Sequence, residues 1–453
     1  MRRSLILCTG TTAVLLGFGG MVSVARGDVV GAVTSAATTR HIGDTLPGTD
    51  PVVFEEALDA FSAVEDIDDG LGPVFNERSC GNCHTQPVIG GSGAQIEQRF
   101  GRVLNGIFYA YDGKEDNEGG SLRQLFSNGT FTNGTQTCEI PVESEPHDAN
   151  VRTGRRTTPL FGLGLVDALP DVVFDFIAAV QPASIRGTVQ RASVLLPDER
   201  DPTQAINSLR VGRFGLKGQV PSLTMFSADA YLNEMGITTQ SCFKGTSVVA
   251  FAFENYSNNV APVPGCNGGD MVTANPAGNP QVPEFTDDPV GTCDDGRSEL
   301  QEDVELFRTF MEHLAPPPIN ITDPIQFARG AYVFAKDSCA GCHVPALITP
   351  SAPFNGVPGL FAFAPFSDFL GHDMGALGDG IGATGDPVAK TRLMRTAPLW
   401  GARFNTQFLH DGRAKTVRDA ILAHDGQGAA ARNAFAAEKA ADQSALLTFI
   451  NSI

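Results

Sequence analysis

The sequence predicts a mainly α-helical, loop-rich protein that consists of two similar domains. Apolar side chains with the i, i+3, i+4 and i+7 spacing of one helix face occur twice, each time shortly before a Cys-x-x-Cys-His motif: Phe54, Ala57, Leu58 and Phe61, and then Phe327, Gly330, Ala331 and Phe334. Asp323 and Pro324 are typical of the N-cap and first position of the second helix. The 50 glycines and 29 prolines indicate long irregular connections.

Each half of the chain also closes with a predicted amphipathic helix. Its apolar positions are Leu300, Val304, Phe307, Met311 and Leu314 in the first half, and Leu446, Phe449, Ile450 and Ile453 in the second. Pro316 to Pro318 cannot continue a helix, so a boundary is predicted at residues 316–322. We therefore predict an N-terminal domain over residues 50–317, with a Gly/Pro-rich, Cys-containing insertion at about 245–296, and a C-terminal domain over residues 323–453.

Each predicted domain contains one Cys-x-x-Cys-His motif: Cys80, Cys83 and His84 in the first, and Cys339, Cys342 and His343 in the second. Covalent haem attachment needs two thiols that form thioethers with the haem vinyl groups, and an adjacent histidine that ligates the iron. A zinc site would need four nitrogen or sulfur ligands, and a thioredoxin-like pair needs no following histidine. The motifs therefore predict two c-type haems. Because cytochrome c domains pair their first and last helices, each domain is predicted to be cytochrome c-like.

A second repeat lies within the two halves. The segment Arg-Thr-Thr-Pro-Leu-Phe-Gly at residues 156–162 is similar to Arg-Thr-Ala-Pro-Leu-Trp-Gly at residues 395–401. Duplication of one haem-binding unit explains both this repeat and the repeated helix-and-motif pattern.

The N-terminus predicts export. Residues 1–27 contain a charged start, an apolar run from Leu5 to Met21 and small residues before Gly27, which is the pattern of a cleaved signal peptide. The run is interrupted by Thr and Gly, which disfavours an uncleaved anchor, and no later stretch predicts a membrane span. We expect a periplasmic protein. Four cysteines outside the signal and the haem motifs would then persist as two disulfides, with Cys266 and Cys293 the pair most easily closed: Cys138, Cys242, Cys266 and Cys293.

The net charge limits the partners that the protein can bind. With 51 acidic and 32 basic side chains, the formal net charge is −19, which disfavours nucleic acid and favours a small basic redox protein as electron donor. Acidic runs at residues 65–69 and 287–288 suggest calcium, but neither has the spacing of a calcium loop, so a solvated surface is the simpler interpretation.

His424 is the candidate sixth ligand of the C-terminal haem. Thr416 to Asp419 has the pattern of a capping box, and Val417, Ala420, Ile421 and His424 share one helix face. The residues alone leave open a structural alternative, in which a histidine near a helix C-terminus caps the dipole.

Several stretches resemble bacterial di-haem cytochrome c peroxidases. Residues 408–421 resemble their His-Asp-Gly and Thr-Leu-Glu-Glu-Ala element, 323–345 their haem-attachment helix, 372–375 their His-Asn-x-Gly loop, and 395–401 their Thr-Pro-x-Leu-Arg-Asn segment. From about residue 50 to the C-terminus the chain is similar to the related di-haem oxidoreductase family, often labelled thiol oxidoreductase, in these segments: Gly72–Asn76, Pro159–Val166, Gly212–Lys217, Val220–Leu223 and His372–Gly375.

The resemblance implies roles for three residues of the C-terminal half. In the peroxidases a methionine fourteen residues after the histidine of His-Asp-Gly ligates the C-terminal haem, and the corresponding position after His410 is His424. Imidazole in place of thioether usually lowers the haem potential. The resemblance places His410 in a loop near the haem edge, and Met374 is expected in the core.

No histidine lies on a clear helix face downstream of the first motif. The candidates for a sixth ligand are scattered: His147, Met225, Glu234 and Met235. The absence of an evident ligand favours an open position, at which a carboxyl group such as that of Glu234 would assist cleavage of an O–O bond. The single tryptophan, Trp400, either packs in the core or lies between the cofactors as an electron relay.

Three functions remain open. The first is a peroxidase-like oxidoreductase, in which the N-terminal haem reacts with peroxide or dioxygen and the C-terminal haem relays electrons. The second is a non-catalytic electron-transfer cytochrome with both irons six-coordinate. The third is a di-haem oxygenase of an organic substrate, since such enzymes belong to the same superfamily. Thiol oxidation has no support, because the cysteines outside the haem motifs form no Cys-x-x-Cys pair.

Overall fold

The computed structural model describes residues 41–66, 69, 71–72, 74–111, 121–133, 135–195, 205, 207–237, 241–243, 246–248 and 302–453. The predicted signal peptide, the cysteines Cys266 and Cys293, the acidic run at 287–288 and most of the predicted insertion lie outside these residues.

Helices and short strands alternate along the described chain. The α-helices are α1 (Pro51–Ser62), α2 (Cys80–Cys83), α3 (Leu163–Asp167), α4 (Asp171–Val180), α5 (Leu223–Met235), α6 (Glu302–His313), α7 (Pro324–Lys336), α8 (Val388–Thr391), α9 (Val417–Ala423), α10 (Ala429–Ala437) and α11 (Ala440–Ile450). Single 3₁₀ turns cover Cys339–Gly341, Gly375–Leu377, Ala402–Phe404 and Gly426–Gly428.

The strands are short and form small antiparallel sheets. They are β1 (Val74–Phe75), β2 (Ile96–Leu104), β3 (Ile107–Tyr109), β4 (Leu122–Arg123), β5 (Phe126–Ser127), β6 (Gly129–Asn133), β7 (Gln136–Ile140), β8 (Val151–Arg156), β9 (Arg191–Ser193), β10 (Leu209–Val211), β11 (Ser241–Phe243), β12 (Thr246–Val248), β13 (Leu347–Ile348), β14 (Ala362–Phe363), β15 (Gly371–Asp373) and β16 (Leu393–Arg395).

The predicted pairing of first and last helices is confirmed in both halves. In the first half α1 packs on α6, where the Phe61 and Phe310 rings stack with their centres 4.5 Å apart. In the second half α7 crosses α11, where the ring centres of Phe327 and Phe449 lie 5.1 Å apart. A Cβ atom at Gly330 would collide with the backbone of α11, so glycine permits this close crossing.

The predicted N-cap Asp323 is present, and the first helix has an equivalent cap at Asp50. The Asp323 side chain accepts hydrogen bonds from the amides of Ile325 and Gln326, at 3.1 and 3.0 Å. The Asp50 carboxylate accepts from the Val52 amide at 2.9 Å at the start of α1. The two helices that lead to the Cys-x-x-Cys-His motifs therefore begin in the same way.

The fold class is mixed rather than mainly α, so that prediction was correct only in part. Strand β2 lies within a four-stranded antiparallel sheet and pairs with β3, β4 and β8. Its pairing with β8 joins residues about fifty positions apart, such as Gln98 and Gly154. Because this pairing is long-range, helix spacing and local turn signals could not predict it.

The duplicated segments end in the same geometry. Gly162 and Gly401 both adopt left-handed backbone conformations, with φ of 70° and 73°. Each glycine amide donates a hydrogen bond beyond the last helix of its own half, from Gly162 to the Leu314 carbonyl at 2.9 Å and from Gly401 to the Ile453 carbonyl at 3.1 Å. The repeat in the sequence is thus also a repeat in structure.

The largest hydrophobic cluster spans the predicted boundary. It contains α1, α5 and α6 together with C-terminal residues that include Val344, Val357, Phe369 and Trp400. A second cluster, around Phe334 and Phe449, belongs to the C-terminal half alone. Among the described helices, none combines the length and apolarity needed to cross a bilayer.

A buried ion triad also joins the halves. The Asp379 carboxylate accepts from Arg155 Nη2 at 2.6 Å and from Lys217 Nζ at 2.8 Å. Burial alone would raise the pKa of Asp379, but the charges of Arg155 and Lys217 outweigh it and lower that pKa.

Candidate haem-binding sites

The second Cys-x-x-Cys-His motif borders a cavity of about 310 Å³, called here the C-terminal cavity. Cys339, Cys342 and His343 line it together with His424. His343 Nδ1 lies 2.8 Å from the Phe366 carbonyl oxygen, which fixes Nδ1 as the donor and leaves Nε2 as the nitrogen available to a metal. Burial lowers the pKa of His343 to about 4, so the imidazole is neutral, as a metal ligand must be.

His424 lies opposite His343 in this cavity. Thr416 caps α9 by accepting from the Asp419 amide at 3.1 Å, and His424 follows the last helical residue. Its Nδ1 lies 2.8 Å from the Ala420 carbonyl oxygen, which again leaves Nε2 available. Burial lowers the pKa of His424 as well.

The distance between the His343 and His424 rings suits two axial ligands. Their centres are 6.4 Å apart. Two imidazoles on one metal place their ring centres about 6 Å apart, since each metal–nitrogen bond is about 2 Å and each nitrogen is roughly 1 Å from its ring centre. The two side chains could therefore hold one iron between them.

Three other C-terminal residues line the same cavity. His410 is buried, and its Nε2 atom has no hydrogen-bond partner among the described residues. Met374 also lines the cavity, close to His424 beside Gly428. His372 Nε2 lies 2.9 Å from the Asp368 carboxylate and its Nδ1 lies 3.7 Å from Cys342 Sγ. The latter sulfur is part of the haem motif, so this cluster belongs to the same site.

The first Cys-x-x-Cys-His motif borders a cavity of about 190 Å³, called here the N-terminal cavity. Cys80, Cys83 and His84 line it, and His84 Nδ1 lies 3.0 Å from the Gly91 carbonyl oxygen. Burial lowers the pKa of His84 to about 4, against the opposing effect of the Gly91 and Thr158 carbonyls. Both motif histidines are thus neutral and oriented through Nδ1 by a backbone carbonyl.

A group of partly buried charged side chains lies in the N-terminal cavity with the motif. Glu234, Glu97, Arg99 and Asp229 all line it. Arg99 binds Glu97 through two hydrogen bonds, Nε to Oε1 at 2.9 Å and Nη2 to Oε2 at 3.1 Å. Burial favours the neutral acid, but Arg99 outweighs it and lowers the pKa of Glu97. Glu97 is therefore the ionised carboxylate of this group.

Glu234 is the carboxyl group of this set whose pKa is raised most strongly towards the protonated form. Burial raises the pKa of Glu234 well above its ordinary value, and the charge of Glu97 and a hydrogen bond with Glu97 raise it further. Its Oε2 accepts from Asn76 Nδ2 at 2.9 Å. Burial raises the pKa of the neighbouring Asp229 to about 6. A carboxyl group that holds a proton therefore lies in the cavity next to the motif.

The sequence predicted Glu234 but missed Glu97, Arg99 and Asp229. Glu97 and Arg99 are two residues apart on β2 and so share one face of the sheet. Asp229 precedes Glu234 by five residues on α5. The alternating positions of Glu97 and Arg99 could have indicated that the two side chains share a face. This inference requires that β2 is first recognised as a strand.

Of the other candidate sixth ligands, one lines the N-terminal cavity and two do not. Met235 lines the N-terminal cavity and is buried. Met225 and His147 do not border that cavity: Met225 Sδ accepts from the Leu195 amide at 3.3 Å, and His147 is exposed. The acidic run near Glu65 contains a local turn, with the Asp66 amide donating to Asp69 Oδ2 at 2.9 Å.

The two cavities share a wall. The residues that line both are Arg156, Thr158, Leu160, Gly215, Leu216 and Phe226. Trp400 does not line either cavity; it packs against Phe363 and beside Gly162 and Pro316, at the junction of the halves. This placement favours a packing role for Trp400.

Two adjoining cavities, each bordered by a Cys-x-x-Cys-His motif, are the arrangement expected of a two-haem oxidoreductase. A family model described as "di-haem oxidoreductase, putative peroxidase" matches residues 128–453, so the chain belongs to this family. The match begins after the first motif. No curated protein matches the chain. A solved structure of Kuenenia stuttgartiensis hydrazine synthase, pressurized with 20 bar xenon, is similar at 13% identity with a TM-score of 0.36 and 100% of each chain covered.

The residues present fit haem groups at both sites. Burial raises the pKa of Cys80 and of Cys339 to about 12, so both thiols are neutral. Each cavity is bordered by two thiols and one neutral histidine of a single motif, which is the set that thioether attachment and iron ligation need. Cys80, Cys83 and His84 would hold one haem, and Cys339, Cys342, His343 and His424 the other.

Proposed function

We propose that this chain is an exported, di-haem c-type oxidoreductase that reduces peroxide in the N-terminal cavity. The observation that carries this proposal is the position of Glu234, which lies in the cavity of His84 with the Glu97–Arg99 ion pair, where burial and the charge of Glu97 raise its pKa. Acid-base catalysis requires such a carboxyl group within reach of the reacting oxygen atoms. The C-terminal cavity offers a second histidine instead, which supports an electron-relay role for that centre.

Glu234 acts as the proton carrier in this proposal. A haem bound at His84 would supply an iron that binds the oxidant and passes electrons to it. Reduction of one hydrogen peroxide molecule to two water molecules consumes two electrons and two protons. Glu234 holds a proton for the departing oxygen, Asn76 orients its carboxyl group, and Arg99 keeps Glu97 ionised so that the proton stays on Glu234.

The wall shared by the two cavities supports a reaction site at the N-terminal haem and an electron relay at the C-terminal haem. His343 and His424 would both hold the C-terminal haem, which would supply electron transfer there. Leu160, Leu216 and Phe226 each line both cavities, so electrons would cross between the centres through a wall that both sites share. A small basic redox protein that docks on the acidic surface, whose chain carries a net charge of −19, would supply these electrons.

Electron paramagnetic resonance of the holoprotein tests the proposal. Spectra of the fully oxidised and half-reduced protein are recorded with and without peroxide. We expect a high-spin signal from one haem that changes with peroxide, and a low-spin signal from the other. Glu234→Gln keeps the side-chain size but removes the acid, so peroxide reduction should fall about 10²-fold or more while both haems are retained. Glu139→Gln, in β7 of the same half, is the control that should retain activity.

Met235 supports the electron-transfer cytochrome as a second candidate function. Its side chain lines the N-terminal cavity, and a thioether ligand from Met235 would close the sixth position of that haem. Two low-spin electron paramagnetic resonance signals that do not change with peroxide, in the oxidised and the half-reduced protein, would favour this function over a peroxidase. Replacement of Met235 by Leu would then convert one of the two signals to high spin.

A further inference from the structure

Arg156 is a partly buried cation at the wall that both cavities share. It ends β8 and begins the first duplicated segment, and its side chain lines both the N-terminal and the C-terminal cavity. Nη1 donates to Asn405 Oδ1 at 3.3 Å, and Nε has no hydrogen-bond partner. Among the described residues, no carboxylate lies within ion-pair distance of this guanidinium.

Arg395 begins the second duplicated segment and lies in the same surroundings. Its Nε donates to the Gly215 carbonyl at 2.7 Å, Nη1 donates to the Thr396 carbonyl at 3.3 Å, and the side chain lines the C-terminal cavity. It too has no carboxylate within ion-pair distance in the described part of the chain. Gly215, to which Arg395 is bonded, itself lines both cavities.

Two partly buried guanidinium groups that line one cavity without a carboxylate are an unusual combination. Arginine stays charged at all relevant pH values, so burial without a counter-ion is unfavourable. Two other arginines that line the N-terminal cavity do have one: Arg155 binds Asp379, and Arg99 binds Glu97. The cavity wall around Arg156 and Arg395 is therefore suited to an anion that is not part of the polypeptide.

We propose that Arg156 and Arg395 bind the propionate carboxylates of the haems, with Arg156 serving both haems and Arg395 the C-terminal haem. The planar guanidinium fork matches a carboxylate with two parallel hydrogen bonds. The duplication explains why the same segment supplies an arginine from each half. The proposal rests on the di-haem part of the proposed function and is independent of any peroxidase activity.

Reduction potentials of the two haems provide the test. A cation beside a haem favours the ferrous state, which carries less positive charge, so its removal lowers the midpoint potential. Spectroelectrochemical titration of the purified holoprotein should show both midpoints lowered in Arg156→Gln, and only the His343 haem lowered in Arg395→Gln. We expect about a tenfold change in the one-electron equilibrium constant, which corresponds to 59 mV. The matched control is Arg152→Gln, four residues earlier on β8, where the arginine is exposed and already paired with Glu145.

A second variant keeps the test decisive if Arg156→Gln loses its fold or its haem. Arg156→Lys retains the charge but not the planar fork, so its midpoints should remain near the wild-type values. The propionate bending band in its resonance Raman spectrum should nevertheless shift, because the paired hydrogen bonds are lost. The proposal is overturned if Arg156→Gln moves the midpoints no more than Arg152→Gln does, or if the bending band of Arg156→Lys equals that of the wild type.

Discussion

Replacement of Asp379 by Asn should markedly weaken the junction between the two halves. The Asp379 side chain is fully buried, and it is the carboxylate that both Arg155 and Lys217 contact, at 8% and 14% side-chain exposure. Removal of one partner from a buried ion pair costs about 3–5 kcal/mol, because the remaining charge stays buried. Asparagine can still accept a hydrogen bond, so we expect about 3 kcal/mol of lost unfolding free energy.

Urea unfolding measures this loss. Far-UV circular dichroism follows the whole chain, and the fluorescence of the single tryptophan, Trp400, follows the junction at which it packs. Glu145→Gln is the control, because its partner Arg152 is exposed and such surface pairs contribute about 0–1 kcal/mol. If Asp379→Asn and Glu145→Gln unfold within about 1 kcal/mol of each other, the assigned importance of the triad is wrong.

The same residue contributes to acid sensitivity. The pKa of Asp379 is lowered in the folded protein, so its stabilisation is fully present above the unfolded value of about 3.9. It is lost as the pH falls through the folded value. The wild type should therefore lose more stability than Asp379→Asn between about pH 5 and the folded pKa.

The remaining predictions concern the two centres. His424→Ala should abolish one low-spin bis-imidazole signal in the electron paramagnetic resonance spectrum, while replacement of the exposed His147 leaves it; an unchanged spectrum in His424→Ala would contradict the ligand assignment. Glu97→Gln removes the negative charge that raises the pKa of Glu234 and frees Arg99 to lower it. Peroxide reduction, which needs protonated Glu234, should then decline at lower pH than in the wild type, and an unshifted pH–rate profile would refute the coupling.

Helices with strong local signals were predictable from the sequence. Asp323 marks a helix start, and the faces that begin at Phe54 and Phe327 are the faces that pack. These features depend on contacts within a few residues, so spacing is sufficient to find them. The strands depend on partners far along the chain, as β2 does on β8, and their prediction requires the fold itself.

In the candidate site, too, the residues with local sequence signals were predictable and those brought together by the fold were not. Cysteine and histidine spacing placed both motifs, and the fourteen-residue interval from the resemblance pointed to His424, which lies opposite His343. Glu97 and Arg99 were not predicted. Unless the strand is recognised, the sequence does not distinguish such a charged pair from charged residues on a solvated surface. The wall shared by the two cavities could not be predicted from the sequence either. It brings residues near position 158 together with residues near position 216 and with the C-terminal half.

The continuous core has a consequence for biosynthesis. A ribosome releases the N-terminal half first, yet the cluster that α1, α5 and α6 form is completed by Val344, Val357, Phe369 and Trp400. Until those residues emerge, the early half keeps apolar surface open to water and to other nascent chains. The core should therefore be completed late in synthesis. Expression of residues 41–317 alone should yield an aggregation-prone species that needs a chaperone to remain in solution.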